Sequence, residues 1–84
     1  MTRIKYERMQ NTLVTNWLTV GPNQIIRGVI HPDNTIDIVD IQSNILKSIS
    51  NISNKRKAKD LLKKELRSFG FNFEEEIRNN STTP

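Results

Sequence analysis

Residues 54–70 read NKRKAKDLLKKELRSFG, and the pattern of this stretch decides the fold class. On a helical wheel its apolar residues fall within a stripe of roughly 140°, the width of one buried helix face. These residues are Ala58, Leu61, Leu62, Leu66 and Phe69. Ser53 or Asn54 can cap the start, and Gly70 suits the position just after the end. The spacing therefore predicts an amphipathic helix over 54–69.

The composition favours one small domain with no metal or cofactor chemistry based on thiols. The chain has 84 residues, no cysteine and a formal net charge of +4, so disulfides and thiolate metal sites are excluded. The start, MTRIKYERMQ, lacks the apolar core of a signal peptide, and no apolar stretch is long enough to cross a membrane. We expect a cytoplasmic domain over 1–79, a flexible tail over 80–84 and no membrane partner.

Before residue 54 the pattern changes from helical to strand-like. Residues 12–20 and 24–30 are rich in β-branched side chains, which a pleated surface favours. Residues 35–41 alternate in the same way, and residues 4–9 fit a short first strand. Residues 42–53 fit either a short edge strand or a helix, and the strand is favoured because Ser and Asn are weak helix formers.

Turn sequences separate these strands. GPN at 21–23 and HPDN at 31–34 place proline where a turn fixes its backbone, and Asn34 tolerates a left-handed conformation. Gly28 in mid-strand indicates a bulge or the close approach of a large neighbour such as Trp17. Together the elements predict an α+β fold: a small antiparallel meander of three to four strands, packed by one C-terminal amphipathic helix and followed by a short helix.

The predicted short helix spans 73–79, since Asn72 and Glu75 have the spacing of a capping box. We expect the core to combine one face of the strands with the apolar stripe of the helix. Its predicted members are Leu13, Trp17, Ile25, Val29, Ile36, Ile38, Leu61, Leu62, Leu66, Phe69 and Phe73. The opposite strand face would then be an uncovered apolar patch, which in so small a domain indicates a second copy or a partner. That face would carry Val14, Leu18, Val20, Ile26 and Ile30.

Positive charge is concentrated in the predicted helix. Residues 55–67 hold seven Lys and Arg residues against Asp60 and Glu65, whereas the rest of the chain is close to neutral. A basic helix face can follow a phosphate backbone, and arginine can bind phosphate or guanine with two hydrogen bonds. The alternative is a solvated face that only keeps the protein soluble. The candidate nucleic-acid-binding residues are Arg56, Lys57, Lys59, Lys63, Lys64 and Arg67.

No catalytic or metal signature stands out elsewhere. His31 is the only histidine, and it could pair with Asp33 or Asp37 for acid–base chemistry, although a surface histidine in a turn is the simpler interpretation. Asp33, Asp37 and Asp40 match no cation-binding loop. The acidic run at 74–76 suits a helix N-terminus. We therefore expect no enzyme and no cofactor.

Trp17 and Tyr6 can stack on bases if they lie on an open sheet face, although the pattern favours burial of Trp17.

A β-meander followed by a helix that opens with NKRKAKDLLKKEL resembles two small nucleic-acid-binding folds. One is the double-stranded RNA-binding domain, although MTRIKYERMQ does not provide its N-terminal helix. The other is the integrase arm-binding domain, which reads DNA with its sheet. The sheet predicted here is not notably basic, and Arg27 and Lys47 are its clearest basic residues. The segment AKDLLKKELRSFGFNFEEEIR at 58–78 is also similar to the ends of small phage-encoded proteins. This last resemblance implies a viral accessory protein that acts on host nucleic acid, polymerase or defence machinery.

The sequence thus predicts a small regulatory protein that binds nucleic acid through the basic helix face, without distinguishing DNA from RNA. The alternative is a protein-interaction module, either an inhibitor of a host protein or a subunit of a viral assembly. In that case the partner would be an acidic protein surface, or a second copy joined through an edge strand or the open sheet face. If the protein is viral, it would act in the host cytoplasm.

Overall fold

The computed structural model describes residues 4–71, in which an antiparallel sheet packs against one C-terminal helix. The strands follow the order β1-β2-β4-β5-β6 across the sheet, and β3 pairs with β4 beside β2. The elements are β1 (Tyr6–Met9), β2 (Thr12–Thr15), β3 (Leu18–Val20), β4 (Gln24–Ile30), β5 (Ile36–Asp40), β6 (Ile45–Ile49) and α1 (Lys55–Ser68). The predicted α+β class is confirmed, although the described residues form six strands rather than three or four. The predicted helix at 73–79 and the tail at 80–84 lie outside the described residues.

The turns follow the sequence signals closely. The turn after β4 closes through hydrogen bonds from His31 N to Thr35 O and from Asn34 N to His31 O. Asn34 adopts the left-handed conformation, with φ of 72°, as its residue type allows. The ambiguous segment 42–53 contains β6, so the predicted edge strand is confirmed, and a turn with Ser43 at φ of 70° leads into it.

A β-bulge interrupts the segment predicted as a single strand over 12–20. Val14 pairs with Val29 and Leu18 pairs with Ile26. Three residues separate Val14 from Leu18, but only two separate their partners, so the 12–20 segment carries one extra residue. An extra residue of this kind bends the strand and shifts the alternation of side chains by one. The prediction of one continuous strand with fixed faces was therefore wrong.

The shift decides which strand face is buried beneath α1. The core cluster consists of Leu18, Val20, Ile26, Ile30, Ile36, Ile38, Ala58, Leu62, Leu66 and Phe71, with Leu13, Leu61 and Phe69 packed partly against it. Four of these residues, Leu18, Val20, Ile26 and Ile30, were expected on the uncovered face. Conversely, Trp17 is 40% exposed and Ile25 is 36% exposed, so their predicted burial was wrong. Predicted core residue Phe73 lies outside the described residues.

Val29 and Val14 lie on the face opposite α1, which corrects the predicted core position of Val29 and agrees with the face expected for Val14. Val29 is half-buried there. It pairs with Val14, which is buried but does not belong to the core cluster. We call this surface the open face, because no described element packs on it. Of the five residues that the uninterrupted strand pattern predicts on the uncovered face, Val14 lies there and the other four lie in the core.

Gly28 lets α1 approach β4 closely. A Cβ atom at this position would lie 2.5 Å from Leu62 Cδ1 and 2.9 Å from Leu62 Cγ. Such distances are far inside van der Waals contact, and Leu62 is fully buried. The sequence-based expectation of a large neighbour was therefore right in kind, but the neighbour is Leu62 of α1 and not Trp17.

Two aspartates hold hairpin turns and are expected to make stability depend on pH. Hydrogen bonds from the backbone N–H groups of Thr35 and Asn44 lower the pKa values of Asp33 and Asp40, respectively, below the ordinary value. A carboxylate whose pKa is lowered by folding stabilises the protein above its unfolded pKa. That stabilisation is lost as the pH falls through the lower, folded value.

We therefore expect the urea midpoint of the wild type to fall more steeply between about pH 5 and about pH 2 than that of a variant with Asp33→Asn and Asp40→Asn. The variant Asp60→Asn, which alters an exposed acid on α1, serves as the control for the loss of one carboxylate. If the urea midpoints of the wild type and the double variant change with pH in parallel, the turn aspartates do not cause the pH dependence of stability.

Candidate nucleic-acid interface

Helix α1 is a well-capped element that carries the basic side chains. The side chain of Asn54 accepts a hydrogen bond of 2.8 Å from Lys57 N at the N-terminus. At the other end Gly70 has a φ of 107°, and Phe71 N donates to Leu66 O at 3.0 Å. A residue in this left-handed position closes the helix and satisfies its last carbonyl groups. The predicted capping by Asn54 and termination by Gly70 are both confirmed.

One side of α1 forms a basic cleft with the edge strand β1. The cleft has a volume of about 440 Å³, and we call it the β1 cleft. Its lining residues are Tyr6, Lys55, Arg56, Lys59, Asp60 and Lys63. Four of the six are cations, and among the described residues that line the cleft Asp60 is the one acid. An anion that enters this space would meet positive charge on the helix side and an aromatic ring on the strand side.

Contacts with the sheet hold two of these lysines in place. The Nζ atom of Lys59 lies 5.0 Å from the centroid of the Tyr6 ring, which is a cation–π arrangement. Lys55 Nζ donates a hydrogen bond of 3.1 Å to His31 O. Because these contacts reduce the freedom of long side chains, part of the entropy cost of binding is already met in the free protein.

The other side of α1 carries no comparable excess of positive charge. Glu65 forms an ion pair with Lys47 of β6, in which Lys47 Nζ lies 2.8 Å from Glu65 Oε1. Leu61 is half-buried on this side and packs against the core. The positive charge of the helix is therefore directed toward β1 and toward the solvent, and away from β6.

The structure brings together some of the predicted binding residues but not all of them. Arg56, Lys59 and Lys63 line the β1 cleft. Arg67 is exposed four residues after Lys63, so helical geometry places it further along the same side. The other two candidates, Lys57 and Lys64, are exposed and do not line the cleft.

Two lining residues were not among the candidates for phosphate contact. Lys55 belongs to the basic run, and the i, i+4 spacing of Lys55, Lys59 and Lys63 could have included it. Tyr6 was considered only for base stacking on an open sheet face, and its place in the cleft depends on β1 lying beside α1, which no local signal reveals. We call Lys55, Lys59, Lys63 and Arg67 the basic row.

A second aromatic–cation contact lies on the open face. The guanidinium carbon of Arg27 is 4.2 Å from the centroid of the Trp17 ring. Arg27 Nε also donates a hydrogen bond of 3.1 Å to Thr15 O, next to the bulge. The sequence pattern favoured burial of Trp17, but the bulge turns this side chain to the open face.

The histidine turn forms a further polar site. His31 Nε2 lies 2.7 Å from Asp37 Oδ2, and both residues line a shallow space of about 570 Å³ together with Asp33 and Ser48. Of the two pairs considered for acid–base chemistry, the structure brings His31 together with Asp37. Asp33 instead accepts a hydrogen bond from Thr35 N. Over residues 4–71, no three side chains of His, Cys, Asp or Glu are grouped as a metal site would require.

Comparison with known proteins gives no independent assignment. No family model, curated protein or solved structure matches this chain. Within the described range, no helix is both long enough and apolar enough to cross a membrane. A functional assignment must therefore be argued from the surfaces of the molecule itself.

Proposed function

We propose that the protein is a small, non-enzymatic accessory or regulatory protein that binds the phosphate backbone of nucleic acid through the basic side of α1. The observation that carries this proposal is the β1 cleft, where Lys55, Arg56, Lys59 and Lys63 converge on one space. Cations that only keep a protein soluble gain nothing from convergence, because like charges repel one another. Their grouping is more readily understood as a preference for a polyanion.

The geometry of the basic row suits a chain of phosphates. Successive members are four residues apart, which corresponds to about 6 Å along the helix axis and about 18 Å in total. A polyanion that lies along α1 could therefore contact several cations at once. Each phosphate neutralised in this way releases condensed counterions, which favours binding at low salt.

Salt titration tests this proposal directly. The purified protein is first freed of bound nucleic acid by a high-salt wash, and the ratio of its absorbance at two wavelengths verifies the removal. Its affinity for a labelled oligonucleotide is then measured by anisotropy at increasing salt. With four phosphate contacts we expect log K to fall with log[salt] with a slope of about −3 to −4. Absent binding, or binding that salt does not weaken, would contradict the proposal.

The proposal extends to a viral protein that acts in the host cytoplasm. This part rests on the expected resemblance of residues 58–78 to the ends of small phage-encoded proteins, and not on the geometry of the cleft. It does not affect the expected salt dependence. The distinction between DNA and RNA is likewise left to the binding measurements.

The β6 edge supports a second candidate function as a protein-interaction module. β6 is the outer strand of the sheet within the described residues. Its first residue, Ile45, is 63% exposed, and Ile41 in the preceding turn is 61% exposed. Exposed edges of this kind accept an added strand from a partner. Affinity purification with this protein as bait, carried out after nuclease treatment, would distinguish the two functions. Recovery of one stoichiometric partner protein, together with no affinity of the bait for oligonucleotides, would favour protein interaction over nucleic-acid binding.

A further inference from the structure

The placement of Trp17 calls for a functional explanation. A tryptophan is the side chain with the largest apolar surface to bury, yet this one remains 40% exposed on the open face. The bulge that puts it there also interrupts the pairing of the 12–20 segment with β4. Bulges commonly redirect a side chain toward a functional position.

Arg27 turns the exposed ring into a flat cationic platform. Its guanidinium group lies 4.2 Å from the ring centroid, and the hydrogen bond from Nε to Thr15 O fixes its orientation. Nucleic-acid bases stack on both indole rings and guanidinium planes. The pair therefore offers an exposed aromatic and cationic surface suited to a base, and a positive charge suited to the adjoining phosphate.

The platform lies close to the β1 cleft, although the two are on opposite faces of the sheet. Asn16, which precedes Trp17, is tied to Lys5 by hydrogen bonds from Asn16 N to Lys5 O and from Lys5 N to Asn16 Oδ1, of 3.0 and 2.9 Å. Lys5 is exposed and directly precedes Tyr6, which lines the cleft. Since β1 is an edge strand among the described residues, a flexible chain could pass around it from the basic row to Trp17.

We propose that Trp17 and Arg27 form a second nucleic-acid site that stacks an unpaired base, and that the ligand of the protein is therefore single-stranded. This inference rests on the proposed function, because the basic row holds the backbone of the same strand. A base inside a duplex is already stacked and paired, so it cannot lie on the platform without costly extrusion. Single strands offer a free base face at every nucleotide.

Intrinsic fluorescence reads this site selectively. Trp17 is the only tryptophan in the chain, so quenching that remains after correction for absorption by the oligonucleotide reports a change at the platform. We expect a single-stranded oligonucleotide to quench the emission strongly, and a duplex of the same length to leave it almost unchanged. Anisotropy of labelled forms of the same oligonucleotides measures binding separately.

Substitution provides the second arm of the test. Trp17→Leu should weaken single-strand binding by about 5- to 150-fold, the loss of one stacked base, without changing the salt slope. Arg27→Lys keeps the positive charge but removes the planar guanidinium group, and should weaken binding to a smaller extent than Trp17→Leu. Ile45→Ala, an exposed position at the β6 edge of the same sheet, is the control and should bind like the wild type.

The outcomes separate this inference from the proposed function. Salt-dependent binding without quenching, together with unchanged affinity of Trp17→Leu, would overturn the base-stacking site and leave the phosphate-binding function intact. Preference for a duplex would also overturn it. Absence of binding to both oligonucleotides would overturn the proposed function and this inference with it. Quenching by the single strand in the wild type supports the site even if a variant fails to fold.

Discussion

Replacing Gly28 by alanine is expected to destabilise the protein by about 1–3 kcal/mol, the usual cost of overpacking a core. The added methyl group would lie 2.5 Å from Leu62 Cδ1 and 2.9 Å from Leu62 Cγ. Leu62 is fully buried between α1 and the sheet, so its neighbours in the core must accommodate any displacement of its side chain. Either the leucine leaves its rotamer or the helix moves away from β4, and both outcomes loosen the core. Urea denaturation, followed by far-UV circular dichroism, measures the change.

The same contact predicts a sign reversal in a second background. Leu62→Ala alone should cost about 2–5 kcal/mol, because it removes buried methyl groups and leaves a cavity. In that background the methyl group of Gly28→Ala meets no leucine side chain and fills part of the cavity. Adding Gly28→Ala to Leu62→Ala should therefore be neutral or stabilising. A loss as large as in the wild type would show that the two residues are not coupled.

The helix could be predicted in detail because all of its signals are local. The capping residue Asn54, the apolar stripe and the terminal Gly70 lie within one continuous stretch, and each acts through the backbone next to it. Three of the stripe residues, Ala58, Leu62 and Leu66, are fully buried as expected. The turn at Asn34 was predictable for the same reason, since its conformation depends on the residue types of the turn.

The strand faces were harder to predict because a single inserted residue exchanges them. The segment 12–20 alternates in a way that fits a continuous strand, and nothing in its composition marks Asn16 or Trp17 as a bulge. The extra residue becomes visible only through the partner strand, where Val29 and Ile26 fix the register. A pattern read from one strand contains no information about how many residues its neighbour supplies.

The candidate site was predictable on the helix and hidden elsewhere. Helical spacing alone placed Arg56, Lys59 and Lys63 on one solvent-facing side. The ring of Tyr6 and the hydrogen bond that holds Lys55 to His31 O come from elements far away in the sequence. The Trp17 platform depends on the bulge, so the sequence pattern offered base stacking by Trp17 only as the alternative to its burial.

Removal of positive charge from the basic row is expected to reduce nucleic-acid affinity strongly. The variant with Lys59→Gln, Lys63→Gln and Arg67→Gln removes three positive charges from a net charge of +4. Glutamine is nearly as good a helix former as lysine, so α1 should remain intact. Each lost phosphate contact lowers the salt slope by about one. At about 0.1 M salt the three together should cost roughly 100- to 500-fold in affinity.

A matched variant separates the position of the charge from its amount. Asn23→Asp, Gln24→Glu and Gln42→Glu alter three exposed residues away from α1 and give the same net charge as the helix variant, with almost no change of side-chain shape. If only the overall charge attracts nucleic acid, both variants will lose affinity equally. If the basic row makes the contacts, the matched variant will keep most of its affinity and the wild-type salt slope.

The ratio of the affinities of these two variants for one oligonucleotide, measured at the same salt concentration, tests the central claim most directly. Contact between phosphates and the basic row predicts that the matched variant binds at least roughly 30-fold more tightly than the helix variant, since three contacts are lost in only one of them. Equal affinities, with both proteins folded by circular dichroism, would contradict the claim that the basic side of α1 is the nucleic-acid interface.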